Sequence, residues 1–379
     1  MNVSLLIPRS VLYPSIGFDL VDGIRTGLQQ SGAAAIQFDI QNIGLAAKDG
    51  DVFARCEQVL LNGADIVIAY INPATAEFVH SLFAANDKLL IVLDSGMHFS
   101  PLHKLSHAFF VSLQGALCCR VAARQAMQNG NASCAFTCSF FDAGYRGAIA
   151  FSSAAANFGG AIGFNHVTKL KRSEFDLAPL KQYLSEHPSN GVFAAFCGDM
   201  AEDFYRHGAE LGLFASYPVF ASPFVAEELW LDKIPYPGGN VMTAVTWGRE
   251  LDNPENRAFM QVLNKPGKAN IFSAMAWEAG YLLAQVQPGA GTDAIKDAWD
   301  QLEFDAPRGH IKMNAETGYL EAPVYKAEVT EGANGNCRLI IHEQVTFLEE
   351  EKELMHKDAA LYSDQTGNSW FNAYPCIDS

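Results

Sequence analysis

Three groups of residues in this 379-residue chain have the types and spacing that could support chemistry. Cys197-Gly198-Asp199 follows an apolar run, as a nucleophile on a strand-to-helix elbow would. It lacks the flanking glycine pattern and has no identifiable histidine partner, so nucleophile, base and orienter do not assemble. His98, His103 and His107 are spaced five and four residues apart, which would set two imidazoles on one helical face as zinc ligands. No cysteine or acid pattern flanks them, and Phe99-Ser100-Pro101 interrupts any helix, so they read as surface histidines. There is no G-x-x-x-x-G-K-[ST] loop, and Gly159-Gly160-Ala161-Ile162-Gly163 precedes a strand instead of opening a helix, so neither nucleotide fingerprint is present. No catalytic residue, metal or cofactor is expected, and the chain does not read as an enzyme.

The elements that would position polar side chains alternate regularly. Val3–Ile7 reads as a strand, followed by a turn-rich loop through Pro8, Pro14 and Gly17 and a helix from about Asp19, with Leu20, Val21, Ile24 and Leu28 at helical spacing. Strands at Ile36–Ile40, Asp65–Ile71 and Lys88–Leu93 alternate with helices at Asp51–Asn62 and Thr75–Asn86. The pattern restarts with strands at Ser133–Phe140, Ala161–Lys169, Gly191–Phe196 and Pro218–Ala221, and helices at Tyr145–Phe158, Leu177–Leu184 and Ala201–Leu211. Such alternation implies right-handed crossovers and doubly wound parallel sheets. Val241–Trp247 leads out of this second block, and helices near Ile271–Val286 and Asp293–Leu302 are additions to the first. The predicted architecture is α/β: two doubly wound lobes with a ligand cleft between them. Ligands of open parallel sheets sit at the carboxyl ends of the strands. The informative loops are therefore Arg9–Gly17, Tyr70–Thr75, Asp94–Ser100, Ser139–Gly147, Cys197–Ala201 and Ser222–Glu228.

Charge and composition exclude several classes. With 26 Lys+Arg against 42 Asp+Glu, the net charge of −16 repels phosphate backbones, which argues against nucleic-acid binding. The strongest apolar run, Leu89–Leu93, is strand length, so no membrane-spanning segment is expected. The opening Met1–Pro8 has no basic region followed by an apolar one. On that reading the protein is either cytoplasmic or a mature form whose leader has been removed. The eight cysteines, none in C-x-x-C spacing and most among apolar neighbours, read as buried free thiols and lean towards a reducing compartment.

The order of motifs resembles the type I periplasmic binding proteins, specifically the branched-chain-amino-acid (Leu/Ile/Val)-binding group of ABC-transporter receptors. The opening strand, the loop ending in Gly17 and the helix Asp19-Leu20-Val21-Asp22-Gly23-Ile24 are similar to that family's start. Phe141-Asp142-Ala143-Gly144-Tyr145-Arg146-Gly147 resembles its acidic turn opening the second lobe, and Leu251–Phe259 its D-x-P-x-N segment. Phe304–Ile311 through Thr317-Gly318-Tyr319 looks like its late hairpin, with Pro323-Val324-Tyr325 entering the last crossover. The resemblance covers roughly residues 1–330. It implies a three-segment hinge near residues 111, 245 and 321. Lobe one would be 1–111 plus 246–321, lobe two 112–245 plus 322–348, and 349–379 a C-terminal extension. In the tail from about Glu331 onward, Glu349–Glu353 reads as a solvated charged stretch, Leu339–His342 could add a strand, and Trp370, Phe371 and Tyr374 suggest a docking end.

The resemblance also implies site residues. Family receptors hold a ligand carboxylate in the loops after the third and fourth strands of lobe one, which here contain Asn72, Thr75, Asp94 and Ser95. Thr75 and Ser95 are the carboxylate candidates, with helix capping the other reading of Thr75. The usual serine-rich stretch is replaced by Asn72-Pro73-Ala74, and Asp94 stands where a small residue is more usual. An acid there would repel a carboxylate and suit an ammonium, an amide or a hydroxyl. From lobe two, Tyr145 would stack on the ligand, and Glu227, with Glu228 equally placed, would meet an ammonium. Tyr13 would lid the cleft, and Phe224 and Trp247 would form apolar walls. The implied function is a solute-binding receptor that captures a small polar ligand, an amino acid or something like one, by hinge closure and delivers it to an ABC permease. Its location would be periplasmic or extracellular. The alternative is a cytoplasmic sensor of the same fold, binding an amide- or urea-like molecule to control a regulatory partner.

Overall fold

The computed structural model describes residues 1–45, 48–98, 103–140, 145–169, 171–187 and 191–362. Phe141–Gly144 of the acidic turn, the Phe99-Ser100-Pro101 break, Cys376 and the aromatic terminus with Trp370, Phe371 and Tyr374 lie outside them. The chain begins with β1 (Val3–Pro8), α1 (Ile16–Gln30), β2 (Phe38–Gly44), α2 (Asp49–Leu61), β3 (Ile66–Tyr70), α3 (Pro73–Asn86), β4 (Leu89–Asp94) and β5 (Ala108–Ser112). It continues with α4 (Gly115–Gln128), β6 (Ser133–Cys138), α5 (Arg146–Asn157), β7 (Ala161–Val167), α6 (Ala178–Glu186) and β8 (Gly191–Ala195). Then come α7 (Asp199–Glu210), α8 (Leu213–Ser216), β9 (Val219–Ala221), α9 (Glu228–Leu231), β10 (Val241–Val245) and α10 (Pro254–Val262). The last are α11 (Ile271–Ala284), α12 (Thr292–Asp300), β11 (Glu303–Ala306), β12 (Gly309–Asn314), β13 (Tyr319–Glu321), β14 (Tyr325–Glu331), β15 (Cys337–Gln344) and α13 (Leu348–Tyr362).

The chain divides into two compact units, Met1–Leu113 with Leu251–Pro323, and Gln114–Glu250 with the described residues from Val324 onward. It therefore passes from one to the other three times. The first unit carries an eight-stranded sheet in the order β11-β12-β13-β5-β4-β3-β1-β2. Its centre is parallel because β1, β3, β4 and β5 are almost continuous apolar runs that helices cover on both faces. The β11–β12–β13 meander adds antiparallel pairings, and Tyr319 stacks on Phe110 at 4.4 Å to seat β13 against β5. Helices α1 and α11 cross at very short range. A Cβ on Gly27 would lie 2.1 Å from the Trp277 carbonyl oxygen, and one on Gly280 would lie 2.2 Å from that of Ile24.

The second unit carries a seven-stranded sheet in the order β15-β14-β10-β9-β8-β6-β7. It is parallel from β10 to β7 and antiparallel at β14 and β15. Its core joins Val192, Ala194, Phe196, Phe204, Phe214 and Val219 between the sheet and α6–α8. Both sheets are thus mixed at one edge, where the alternation suggested parallel sheets throughout.

Three readings of the sequence are corrected here. The strand expected at Ile36–Ile40 lies at Phe38–Gly44; it is an edge strand paired only with β1, none of its residues is fully buried, and so it carries no apolar run to mark it. Glu349–Glu353 is not wholly solvated: Glu351 is fully buried, with carboxyl oxygens 3.3 Å from Arg120 Nε and 3.2 Å from Arg124 Nη1, and it fastens α13 onto α4. His98 is buried, not a surface residue, while His103 and His107 face Glu77 and Asp87 at 3.8 and 3.4 Å. No group of metal-holding side chains occurs among the described residues. The seven cysteines described are all buried, and none is in a disulfide.

Candidate functional site

The carboxyl ends of parallel strands offer free backbone groups and diverging loops, so polar residues there are the ones available to a ligand. In the first unit, β1, β3, β4 and β5 end side by side. The Tyr13 ring after β1 is buried, edge-on to Phe272 at 4.9 Å, and Tyr70 at the end of β3 approaches the same ring at 6.2 Å. The Tyr13 backbone N–H donates to Ser10 Oγ at 3.0 Å, which tightens the loop.

Asn72 and Thr75 sit together at the start of α3. Asn72 is the helix cap: its Oδ1 accepts the Thr75 N–H at 2.8 Å, and Pro73 follows at the first helical position, where a missing N–H costs nothing. The Thr75 hydroxyl donates to Asp49 Oδ1 on α2 at 2.6 Å, so both Thr75 donors are engaged inside the protein. One strand over, Asp94 closes β4 opposite Ser112 of β5. One Asp94 oxygen accepts the Gly96 N–H and the Ser112 hydroxyl, the latter at 3.0 Å; Oδ2 has no hydrogen-bond partner among the described residues. The carboxyl is 2% exposed, and burial pushes its pKa up to about 7 against the opposing pull of those two donors and Arg308. The adjacent Ser95 is also buried, its Oγ accepting the Met97 N–H at 3.5 Å.

Behind Asp94 lies a pair that the sequence reading missed. Arg308 is fully buried, donating to both Glu278 oxygens at 2.6 Å and to the Ser112 carbonyl at 2.7 Å. Its signal was present in the sequence, because Glu278 is the lone charge inside the apolar helix Ile271–Ala284. A charge held there needs a partner.

In the second unit, the loops after β9 and β10 meet. Phe224 is buried in a 3-10 turn, Pro223–Ala226, and Glu227 caps α9 by accepting the Leu229 N–H at 3.0 Å. The other Glu227 oxygen is buried without a partner among the described residues. Burial, reinforced by the neighbouring Glu228, pushes the Glu227 pKa up to about 8. Glu228 accepts the Arg249 N–H at 2.8 Å and rises to about 7, again through burial. That bond ties the loop holding Trp247, which is buried, to the loop holding Glu227. Tyr145 is half-buried, with φ 61° at the start of α5, a left-handed conformation that is strained for an aromatic residue. Arg249 was not foreseen, since its contribution comes through a backbone N–H that no residue pattern reveals.

Two α/β units joined by three passages of chain, with polar and aromatic side chains gathered at the carboxyl edges of both sheets, define a two-lobed solute-binding fold of type I. The chain belongs to the periplasmic binding protein family, whose sequence profile matches residues 2–335. That family binds solutes and does not catalyse their conversion. No curated protein matches by sequence. Among solved structures it is similar to an ABC-transporter substrate-binding protein from Sphaerobacter thermophilus, with TM-score 0.79 and 17% identity over 91% of this chain and 97% of that chain. It is also similar to an ABC-transporter solute-binding protein from Rhodopseudomonas palustris in complex with 3,4-dihydroxybenzoic acid, with TM-score 0.74 and 17% identity over 91% and 97%. A third is a leucine-, isoleucine-, valine-, threonine- and alanine-binding protein from Brucella ovis, with TM-score 0.73 and 14% identity over 93% and 96%. No helix among the described residues is long and apolar enough to cross a membrane.

Proposed function

We propose that this protein is the solute receptor of an ABC transporter, capturing one small polar molecule by closing its two lobes on it and presenting it to a membrane permease outside the cytoplasm. The observation that carries this reading is the family match over residues 2–335, joined to the polar and aromatic side chains at the carboxyl edge of each sheet. Tyr13, Tyr145, Phe224 and Trp247 supply apolar surface that excludes water, while Asp94, Ser95 and Glu227 fix orientation. Asn72 and Thr75, engaged as cap and cross-helix tie, hold the β3 loop in place. The similar structures include one in complex with 3,4-dihydroxybenzoic acid and one named for binding leucine, isoleucine, valine, threonine and alanine, so fold alone does not select the solute. A second reading, a cytoplasmic sensor of the same fold, is favoured by one feature: all seven described cysteines are buried and outside disulfides, which suits a reducing compartment.

A thermal-shift screen against amino acids, small amides, ureas and aromatic acids tests the receptor reading. A ligand at 100 times its dissociation constant stabilises the folded state by about 2.7 kcal/mol. Tyr145→Ala should weaken the response to a hit while leaving the ligand-free melting curve cooperative. An undiminished response would remove Tyr145 from the site.

A further inference from the structure

A solute carboxylate bound at the first unit's edge needs hydrogen-bond donors there, and several of the nearest donors are already engaged. The N-terminus of α3 is the natural anion pole. Its first residue, Pro73, has no N–H; the Thr75 N–H donates to the Asn72 side chain, and the Ala76 N–H to the Asn72 carbonyl. The Thr75 hydroxyl is given to Asp49 and the Ser112 hydroxyl to Asp94. Arg308, the cation behind the site, is neutralised by Glu278 in two-point contact. Beside these engaged donors the edge holds a bare acceptor: the second oxygen of Asp94, more than nine-tenths buried and without a partner among the described residues.

From this we infer that the first unit recognises an N–H donor on its ligand, so that the solute is an amide, urea or amine and does not present a carboxylate to this lobe. The inference rests on the receptor reading above and adds the ligand class to it. A buried acceptor left bare loses its water without compensation, and an N–H group placed against Asp94 Oδ2 restores the bond. A carboxylate in that position would instead bring two anionic oxygens together in a poorly solvated place. Gly96 and Ser112 donate to the first Asp94 oxygen and Arg308 adds a nearby positive charge, while the second oxygen is left without a partner among the described residues.

The test uses matched pairs on the intact protein: benzamide and benzoate, propionamide and propionate, leucinamide and leucine, with urea alongside. It is run at pH 8, above the value of about 7 to which burial pushes Asp94, so that the carboxyl is ionised and cannot itself donate to an acid. Thermal shift and calorimetry follow wild type, Asp94→Asn and Asp94→Ser, with circular dichroism confirming that the variants fold. Any molecule released on denaturing the purified protein is identified by mass spectrometry and classed in the same way. The expected result is that an N–H-bearing solute binds, its matched acid does not, and Asp94→Ser weakens binding by ~10-fold or more. An acid that binds wild type as tightly as its amide, or an amide whose affinity in both variants equals that for wild type, overturns the inference and leaves the receptor reading standing. If no probe binds and no molecule is released, the receptor reading falls, and the inference with it.

Discussion

Asp94 makes the ligand-free protein depend on pH in a way that one substitution isolates. Its folded pKa is raised from 3.8 to about 7 by burial, so the folded state holds the proton more tightly than the unfolded chain does. The resulting penalty is absent well below pH 3.8, grows across the window between 3.8 and about 7, and is complete above it. Each tenfold change in proton affinity corresponds to about 1.4 kcal/mol, so the penalty reaches ~4 kcal/mol at pH 8, some ~3 kcal/mol of which accumulates above pH 4.5. Asp94→Asn retains an oxygen for the Gly96 N–H and the Ser112 hydroxyl and never ionises. It also places an amide N–H₂ where Oδ2 has no partner, at a pH-independent cost of ~1–3 kcal/mol. The variant should therefore match or fall slightly below wild type at pH 4.5 and exceed it at pH 8. Melting curves of both proteins across that range measure the difference, in which every other titrating group cancels. At roughly 2–4 °C per kcal/mol for a domain of 150–250 residues, the gap should widen by several degrees. A gap that stays constant with pH would refute the buried, half-satisfied carboxyl.

Two further perturbations address the framework around the site. Glu278→Gln leaves Arg308 charged and buried beside a neutral amide and should cost ~3–5 kcal/mol, seen as a lowered urea midpoint; Glu278→Leu combined with Arg308→Met should recover most of it. Gly27→Ala drives a Cβ into the Trp277 carbonyl and should cost ~1–3 kcal/mol or more, while Gly50→Ala, with open space around it, should stay within ~0.5 kcal/mol of wild type. Equal melting temperatures for the two glycine variants would contradict the close crossing of α1 and α11.

The elements that were legible in the sequence are those whose burial leaves a local mark. Strands β1, β3, β4 and β8 are apolar runs covered on both faces, and α1 shows one apolar stripe. Strand β5 and helix α4 were not foreseen. Ala108–Ser112 follows a polar stretch, and α4 buries Arg120, a residue type that reads as exposed until its partner Glu351, far along the chain, is seen. The candidate site divides in the same way. Asn72-Pro73 is a local cap-and-first-turn signature, although the sequence reading considered capping only for Thr75, as the alternative to binding a carboxylate. That Asp94 would meet Ser112 depends on the register of two strands, and that Arg308 would meet Glu278 depends on a hairpin packing against α11. Neither relation is carried by neighbouring residues.

The most direct test of solute capture by lobe closure is a calorimetric titration of the best-binding solute, followed by small-angle X-ray scattering of the protein with and without it. One saturable site per chain together with a smaller radius of gyration in the bound form is the expected result. Saturable binding with an unchanged radius of gyration would contradict capture by closure, and an absence of saturable binding by any solute would contradict the receptor itself.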